Sequence, residues 1–228
     1  MTRLRLFLTL CLLASLSALA QNQTVNGLKQ GPWKVTYEGS SMLRYEGTFD
    51  KGIPVGTFTH YHPNGTKRAI MVFRGKTQSC YTQEFALNGT LLAEGRYGAP
   101  GVKDSTWRIY DLNGKLLNTE TYQGGSLNGP YATYYPNGKT VESGAMQDGE
   151  KTGLWTRFGE NGEKTRSVEY VLGQLQGTWT EFDENGRIAL RGTYENNMKE
   201  GRWLSFENGK PVHGIWYHKG VVTKEMDY

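Results

Sequence analysis

Aromatic positions recur along the chain every 24 residues or so, in eight units that cover about residues 31–217. The first ring of each unit is Trp33, Phe58, Tyr81, Trp107, Tyr131, Trp155, Trp179 or Trp203. The second ring, three or four residues later, is Tyr37, Tyr61, Phe85, Tyr110, Tyr134, Phe158, Phe182 or Phe206. The third position is Phe49, Phe73, Tyr97, Tyr122, Met146, Tyr170, Tyr194 or Trp216.

Glycine turns divide each unit into two short runs rich in aromatic, Thr and Val residues, which predicts two strands. The units are too short and too rich in glycine to hold a helix each. The predicted fold is therefore all-β, an elongated antiparallel sheet or solenoid of about eight β-hairpin repeats. One hairpin cannot bury its own apolar side, so neighbouring units must cover it. The aromatic columns are expected to be chiefly core.

An Asn-Gly pair lies inside the units, as in "HPNG" and "YPNG". Proline suits the second position of a type I turn, with Asn third and Gly in the left-handed conformation of a following bulge. A two-residue type I′ turn on Asn-Gly is the alternative. Both alternatives require the glycine for its backbone. The pairs are at 64–65, 88–89, 113–114, 137–138, 161–162, 185–186 and 208–209.

A second set of glycines lies two residues before the third ring. Without a side chain, each leaves a gap on its strand that a neighbouring ring can cover, and it permits a local bend. The first and second rings, such as Trp155 and Phe158, are three residues apart, which in a flat strand places them on opposite faces. Either both faces carry aromatic rings, or a bulge returns the second ring to the first side. These glycines are Gly47, Gly95, Gly144, Gly192 and Gly214.

The N-terminus has the three parts of a secretory signal peptide: Arg3 and Arg5, an apolar run over 6–16, and the small-residue site Ala18-Leu19-Ala20. Cleavage is expected after Ala20. The run is short for a retained transmembrane anchor, the weaker alternative. The mature protein is then exported to the periplasm, the cell surface or the medium.

Charge and cysteine content narrow the partners. Without the signal segment, 24 basic residues face 22 acidic ones, and no basic block occurs. This small, interspersed charge favours neither nucleic acid nor an anionic membrane surface as a ligand. Cys80 is then the single cysteine, so no intramolecular disulfide can form, and burial is the expected state of its thiol.

The segment Gly47–Phe58 has the pattern Gly-x-Phe-x-x-Gly-x-x-x-Gly-x-Phe, and Gly144–Trp155 repeats it with Met146 and Trp155 in place of the two Phe residues. This unit resembles the MORN repeat, and the version Trp-x-x-Tyr-x-x-Asn-Gly resembles its bacterial variant, the YwqK-type proteins. The resemblance implies an elongated sheet of hairpins used as a scaffold or binding surface. YwqK-type proteins are often labelled antitoxins of toxin-antitoxin pairs, a role that an exported protein could fill only with an exported toxin.

The chain shows no signature of an enzyme, and no cofactor is expected. It lacks the Gly-x-Ser-x-Gly elbow, a phosphate-binding glycine loop and a histidine metalloprotease motif. His60 and His62 flank Tyr61 and are expected on one face, but two histidines are too few for a metal site. Recurring acids are expected to form cross-strand pairs on a wet face. They are Glu46, Glu94, Glu120, Glu142 and Glu169.

Tyr135 is the main candidate binding residue, with His60 and His62 as further weak candidates. Its counterparts in other units are mostly polar or small, so it is expected to be an exposed aromatic anchor at a turn. The connections between residues 74 and 106 depart from the repeat, and a specific contact is expected there. The expected organisation is a signal peptide (1–20), a linker (21–30), the repeat array (31–217) and a tail (218–228).

The sequence thus predicts an exported, non-enzymatic repeat scaffold that binds a protein or a glycan along an extended β surface. The alternative is an antitoxin-like or immunity partner of an exported toxin. The sequence identifies neither the ligand nor the oligomeric state.

Overall fold

The computed structural model describes residues 21–75 and 77–228, which form an antiparallel sheet of 18 strands. Each strand pairs with the next one along the chain, from the first to the last. The predicted all-β hairpin fold is confirmed. The strands are β1 (Gln23–Val25), β2 (Leu28–Thr36), β3 (Leu43–Asp50), β4 (Ile53–Tyr61), β5 (Lys67–Phe73), β6 (Cys80–Phe85), β7 (Leu91–Ala99), β8 (Val102–Tyr110), β9 (Leu116–Gln123), β10 (Ser126–Tyr134), β11 (Thr140–Gln147), β12 (Glu150–Phe158), β13 (Lys164–Val171), β14 (Gln174–Phe182), β15 (Ile188–Glu195), β16 (Met198–Glu207), β17 (Lys210–His218) and β18 (Val221–Asp227).

The sheet extends beyond the predicted array at both ends. The expected linker 21–30 contains β1 and the start of β2, and the expected tail 218–228 contains β18. These residues lack the aromatic signature but still satisfy their backbone groups by pairing with the neighbouring strand. The expected signal peptide, residues 1–20, lies outside the described residues. Across the described part of the chain, no helix has the length and apolarity needed to cross a membrane.

The Asn-Gly turns are of two kinds. In the first six, the glycine has a positive φ of 72–89° and the Asn does not. The glycine N–H bonds the carbonyl three residues back, as from Gly138 to Tyr135 at 2.8 Å. These are the type I turns followed by a left-handed glycine. In the last turn, Asn208 and Gly209 both have positive φ and join Glu207 to its partner Lys210, which is the type I′ alternative.

The first ring of alternate units lies flat on a glycine of the preceding strand. A Cβ added to Gly144 would overlap the indole of Trp155, and Trp155 Nε1 donates to the Ala145 carbonyl at 3.0 Å. Gly47, Gly95 and Gly192 lie in the same way under Phe58, Trp107 and Trp203. The four rings are 0–4% exposed, which confirms the predicted core role for them. A large ring is buried in a single-layer sheet because the backbone itself supplies the covering surface.

Strand pairing corrects three ring assignments. In the third unit, Thr82 and not Tyr81 occupies the position of the first ring. Thr82 lies opposite Gly95, just as Trp33 lies opposite Gly47. In the same way, Thr36 replaces Tyr37 among the second rings.

The last unit is shifted by one residue as well. Tyr217, not Trp216, pairs with Gly201, just as the third ring Tyr170 pairs with Gly153 in an earlier unit. Gly214 therefore does not belong to the glycine column, and Ile215 takes its place. No ring of β18 covers Gly214, whose nearest side chains are those of Trp216 and Leu204.

Both faces of the sheet carry aromatic rings. The first and third ring positions share one face, here called the ring face, where Phe49, Phe58 and Phe73 contact one another edge to face. The second rings lie on the opposite face. Tyr61 donates to Glu46 at 2.5 Å, and Glu46 pairs with Thr59, next to Phe58 in β4. Side chains alternate along a strand, so Tyr61 and Phe58 point in opposite directions.

The true structural period is two units. The strand position opposite the first ring in the next strand alternates between glycine and a residue with a side chain. The residues with a side chain are Met71, Glu120, Val168 and Ile215. A lysine covers the buried indole of every second unit, with Lys103, Lys151 and Lys199 lying 3.8–4.6 Å from Trp107, Trp155 and Trp203. Such cation–π contacts contribute about 0.5–2 kcal/mol each.

Candidate ligand groove at the third unit

The ring face is interrupted at the third unit, formed by β6 and β7. Thr82 occupies the place of a first ring, and it is buried at 1% exposure. The missing ring leaves an open groove of about 480 Å³. A smaller hollow of about 220 Å³ shares Met71, Tyr97 and Gly101 with it. The groove is lined by His60, Arg68, Met71, Glu84, Leu92 and Tyr97, among others.

Strand pairing explains why the smaller hollow beside the groove has an aromatic ring on each side. Phe73 and Tyr97 are third rings of adjacent units, and both pair with Cys80. Cys80 stands where most units have the glycine two residues before the first ring. It is buried, its Sγ lies 3.4 Å from Thr82 Oγ1, and burial raises the pKa of its thiol. The expected buried thiol is confirmed, and Cys80 lines the smaller hollow together with the two rings.

One end of the groove is basic. Burial lowers the pKa of His60, and the charges of Arg68 and Arg44 lower it further. Arg68 is exposed, and within the described residues no ion pair involves it. Glu84 is the acidic group of the lining, and its Oε1 accepts a hydrogen bond from the Tyr97 hydroxyl at 3.1 Å. Burial and this carboxylate raise the pKa of Tyr97 to about 12.

The other face of the third unit is irregular as well. The six residues between β5 and β6 replace a tight hairpin, and a pocket of about 450 Å³ lies beside them. Tyr81, Val72 and Arg96 line this pocket and pair with one another across the strands. Tyr81 is 44% exposed and donates to Glu94 at 2.8 Å. The expected departure from the repeat between residues 74 and 106 is therefore present on both faces.

The three predicted binding residues have different environments. His60 lines the groove and lies 5.7 Å from the Tyr45 ring, measured between centroids. His62 points to another neighbour, with Nε2 3.0 Å from the Phe85 carbonyl. Tyr135 is half-buried instead of exposed, because its hydroxyl donates to the Phe158 carbonyl at 3.0 Å. The expected exposure of Tyr135 was wrong.

Tyr135 and His62 occupy the same position of their units, as does Tyr37, whose hydroxyl donates to the Tyr61 carbonyl at 2.6 Å. Each side chain reaches the backbone of the following unit. These contacts hold successive turns together, which accounts for a large polar side chain at a turn without any ligand. In two of the three cases, His62 and Tyr135, the residue directly precedes Pro-Asn-Gly, whereas Tyr37 precedes Glu38-Gly39.

The recurring acids form cross-strand contacts, as expected, but on both faces. Glu142 pairs with Lys151 at 2.7 Å on the ring face, whereas Glu94 lies on the other face. Burial opposes ionisation of Glu94, but hydrogen bonds from Tyr110, Tyr81 and Gln83 outweigh it and lower its pKa. Among residues 21–75 and 77–228, no three His, Cys, Asp or Glu side chains lie close enough to hold a metal ion.

A family model for the MORN repeat variant matches residues 103–123 and 175–196. The first match covers β8 and β9, and the second covers β14 and β15, so each corresponds to one hairpin. MORN repeats form a non-enzymatic repeat family and are typically binding or scaffold modules. A repeat scaffold is compatible with this match.

No curated protein matches the chain. Among solved structures, a chain of the TcdB2-TccC3-Cdc42 crystal structure is similar to this one with 11% identity and a TM-score of 0.19. The similarity covers 81% of this chain and spans 13% of the length of that one.

Proposed function

We propose that this chain is an exported, non-enzymatic repeat scaffold that binds a partner protein on its ring face, with the third unit as the specific contact. The observation that carries the proposal is the interruption of the ring column at Thr82, beside which the ring face has a groove of about 480 Å³. Well-formed hollows with apolar walls and a few polar groups are the usual places for ligands.

The repeat supports this role physically. Each hairpin contacts mainly its neighbours, so one unit can diverge without unfolding the rest. The regular units then serve as a rigid frame, and the irregular unit supplies specificity. Of the predicted binding residues, His60 belongs to this contact. A protein is favoured over a glycan because the groove lining includes Met71 and Leu92, against which sugar hydroxyls would be left unpaired.

The test is affinity purification with crosslinking of the mature protein from its own envelope and medium, followed by mass spectrometry. The variant is Thr82→Tyr, which places in the groove the ring found at Tyr131 in another unit. The control is Arg157→Gln, an exposed ring-face change on β12. We expect one partner that both wild type and control retain, that Thr82→Tyr loses, and that binds the purified protein stoichiometrically.

Two results would change the proposal. A partner retained equally by Thr82→Tyr would place the contact elsewhere on the sheet. A stoichiometric complex with an exported toxin would assign the immunity role instead. Export itself is tested by N-terminal sequencing of the extracytoplasmic protein, which should begin at Gln21.

A further inference from the structure

The regular units show which group the groove is shaped to hold. In two units, those of Phe58 and Trp203, the first ring is in edge-to-face contact with the third ring of its own unit and with that of the preceding unit. Phe58 lies 5.0 and 5.4 Å from Phe49 and Phe73 between ring centroids, at interplanar angles of 84° and 78°. Trp203 has the same arrangement with Tyr194 and Tyr217. In the third unit Phe73 and Tyr97 occupy the two flanking positions, with Tyr97 lining the groove and Phe73 lining the adjoining hollow, and the ring between them is missing.

The space and its lining fit an aromatic group. A dry cavity of about 150 Å³ with apolar walls is sufficient to bind benzene. The groove is larger, at about 480 Å³, so it can take a ring together with part of the chain that carries it. Met71 and Leu92 line it beside Tyr97. Aromatic pairs in this geometry are worth about 0.5–1.5 kcal/mol beyond their buried area.

The charge at the end of the groove selects what adjoins the ring. Arg68 and Arg44 are the cations close enough to act on His60, and Arg68 has no ion-pair partner within the described residues. Glu84 is already engaged by the Tyr97 hydroxyl. A guanidinium with free donors is best satisfied by a carboxylate, which it can bind through two parallel hydrogen bonds.

We propose that the third-unit groove receives an aromatic side chain of a partner protein that is flanked by a carboxylate, with the ring completing the Phe73–Tyr97 column and Arg68 pairing with the acid. This inference rests on the proposed function and specifies the chemistry of the partner. Other units have an aromatic ring at the position of Thr82. The aromatic side chain of the partner would therefore occupy the space that this ring fills in those units.

The test uses three short peptides on the mature protein: acetyl-Asp-Trp-Asp-amide, acetyl-Lys-Trp-Lys-amide and acetyl-Asp-Ala-Asp-amide. Binding is followed by chemical-shift changes in the ¹H–¹⁵N spectrum. We expect the acidic tryptophan peptide to bind, with shifts centred on residues 82–97, and the other two to bind at least about tenfold more weakly. That factor corresponds to one charge-assisted hydrogen bond or one buried ring.

Two variants and a control localise the effect. Arg68→Gln alters an exposed side chain, so the fold is retained, and it should weaken the acidic peptide about tenfold. Thr82→Tyr should abolish binding of the ring. Arg157→Gln, a matched exposed arginine of the ring face, should leave binding unchanged.

Equal affinity for the acidic and basic peptides, or binding that survives both Arg68→Gln and Thr82→Tyr, would overturn the inference. Failure of all three peptides, combined with a natural partner whose capture still depends on Thr82, would also overturn it while leaving the proposed function intact. Loss of that dependence would remove the proposed function itself, so the two failures can be told apart.

Discussion

The glycine beneath each buried ring can be tested at Gly144. Substitution by Ala adds one carbon where the Trp155 indole lies, so the ring must move away from the strand. Another unit of the chain already has this arrangement, because Val168 occupies the equivalent place one unit later. There Trp179 is only half-buried, and its Nε1 donates to the Glu181 carboxylate at 3.1 Å instead of to a backbone carbonyl. Gly144→Ala should make Trp155 half-buried like Trp179, without a carboxylate acceptor, because Arg157 stands where Glu181 follows Trp179.

The expected cost can be worked out from the structure. Trp155 is 1% exposed, and an aromatic side chain buries about 150–250 Å². Exposing half of that area, about 100 Å², costs about 2.5 kcal/mol at about 25 cal/mol per Å². The lost hydrogen bond to Ala145 adds about 1 kcal/mol to this cost. Alanine also lowers the conformational entropy of the unfolded chain, which reduces the cost by up to about 1 kcal/mol. The free energy of unfolding should therefore fall by about 2.5 to 3.5 kcal/mol.

The control is Gly159→Ala, which makes the same change in the unfolded chain. Gly159 does not have a positive φ, and Ala86 occupies its position in the third unit, so its cost should stay within about 0.5 kcal/mol. Urea unfolding followed by circular dichroism gives both values, and the Trp155 Nε1–H resonance reports the displaced ring. If the two variants were equally stable and that resonance did not move, the reasoning that the Trp155 ring packs directly on Gly144 would be refuted.

Three further changes test the turns, the ionisation and the repeat. Ser105 has a φ of 60° where Gly153 and Gly201 have 66° and 65°, so Ser105→Gly should raise the free energy of unfolding by about 1 kcal/mol in urea titrations. Folding raises the pKa of Tyr97 from its ordinary value of 10.0 to about 12. This contribution is complete below pH 10 and is lost as the pH rises towards 12, so Tyr97→Phe should flatten the alkaline fall in stability. Deleting 153–176 places Trp179 over Gly144 and four residues after Lys151, so circular dichroism should show a folded, shorter β-protein; global unfolding would contradict the repeat.

The hairpins, their turns and the ring-bearing glycines were all predictable from local signals. Asn-Gly after proline specifies a turn through backbone preference alone, and four of the five glycines do lie under rings. The ring columns were less certain where two candidates are close in sequence, as with Tyr81 and Thr82. Sequence spacing tolerates a shift of one residue, but pairing does not, because that shift moves every side chain to the other face.

The two-unit period was present in the sequence, since Gly47, Gly95, Gly144 and Gly192 are 48 or 49 residues apart. Aligning the units at 24 residues does not show the two-unit period, because Val168 and Glu120 share only their strand position with the glycines. Tyr135 illustrates the opposite error. An aromatic residue at a turn was interpreted as exposed, but the next unit offers it a backbone carbonyl, and only the stacking of turns reveals that acceptor.

The groove required both kinds of information. The irregular spacing around residues 74–106 showed where the repeat changes, but a missing ring is visible only when Thr82 is known to stand in the ring column. Two substitutions occur there together: Cys80 replaces the left-handed glycine that lets other strands bulge, and Thr82 replaces the ring that the bulge would carry. β5 and β6 accordingly pair without the register shift seen between β3 and β4. A unit that had only lost stability would collapse onto the gap, whereas this one keeps both flanking rings and, beside them, Arg68, which forms no ion pair within residues 21–75 and 77–228.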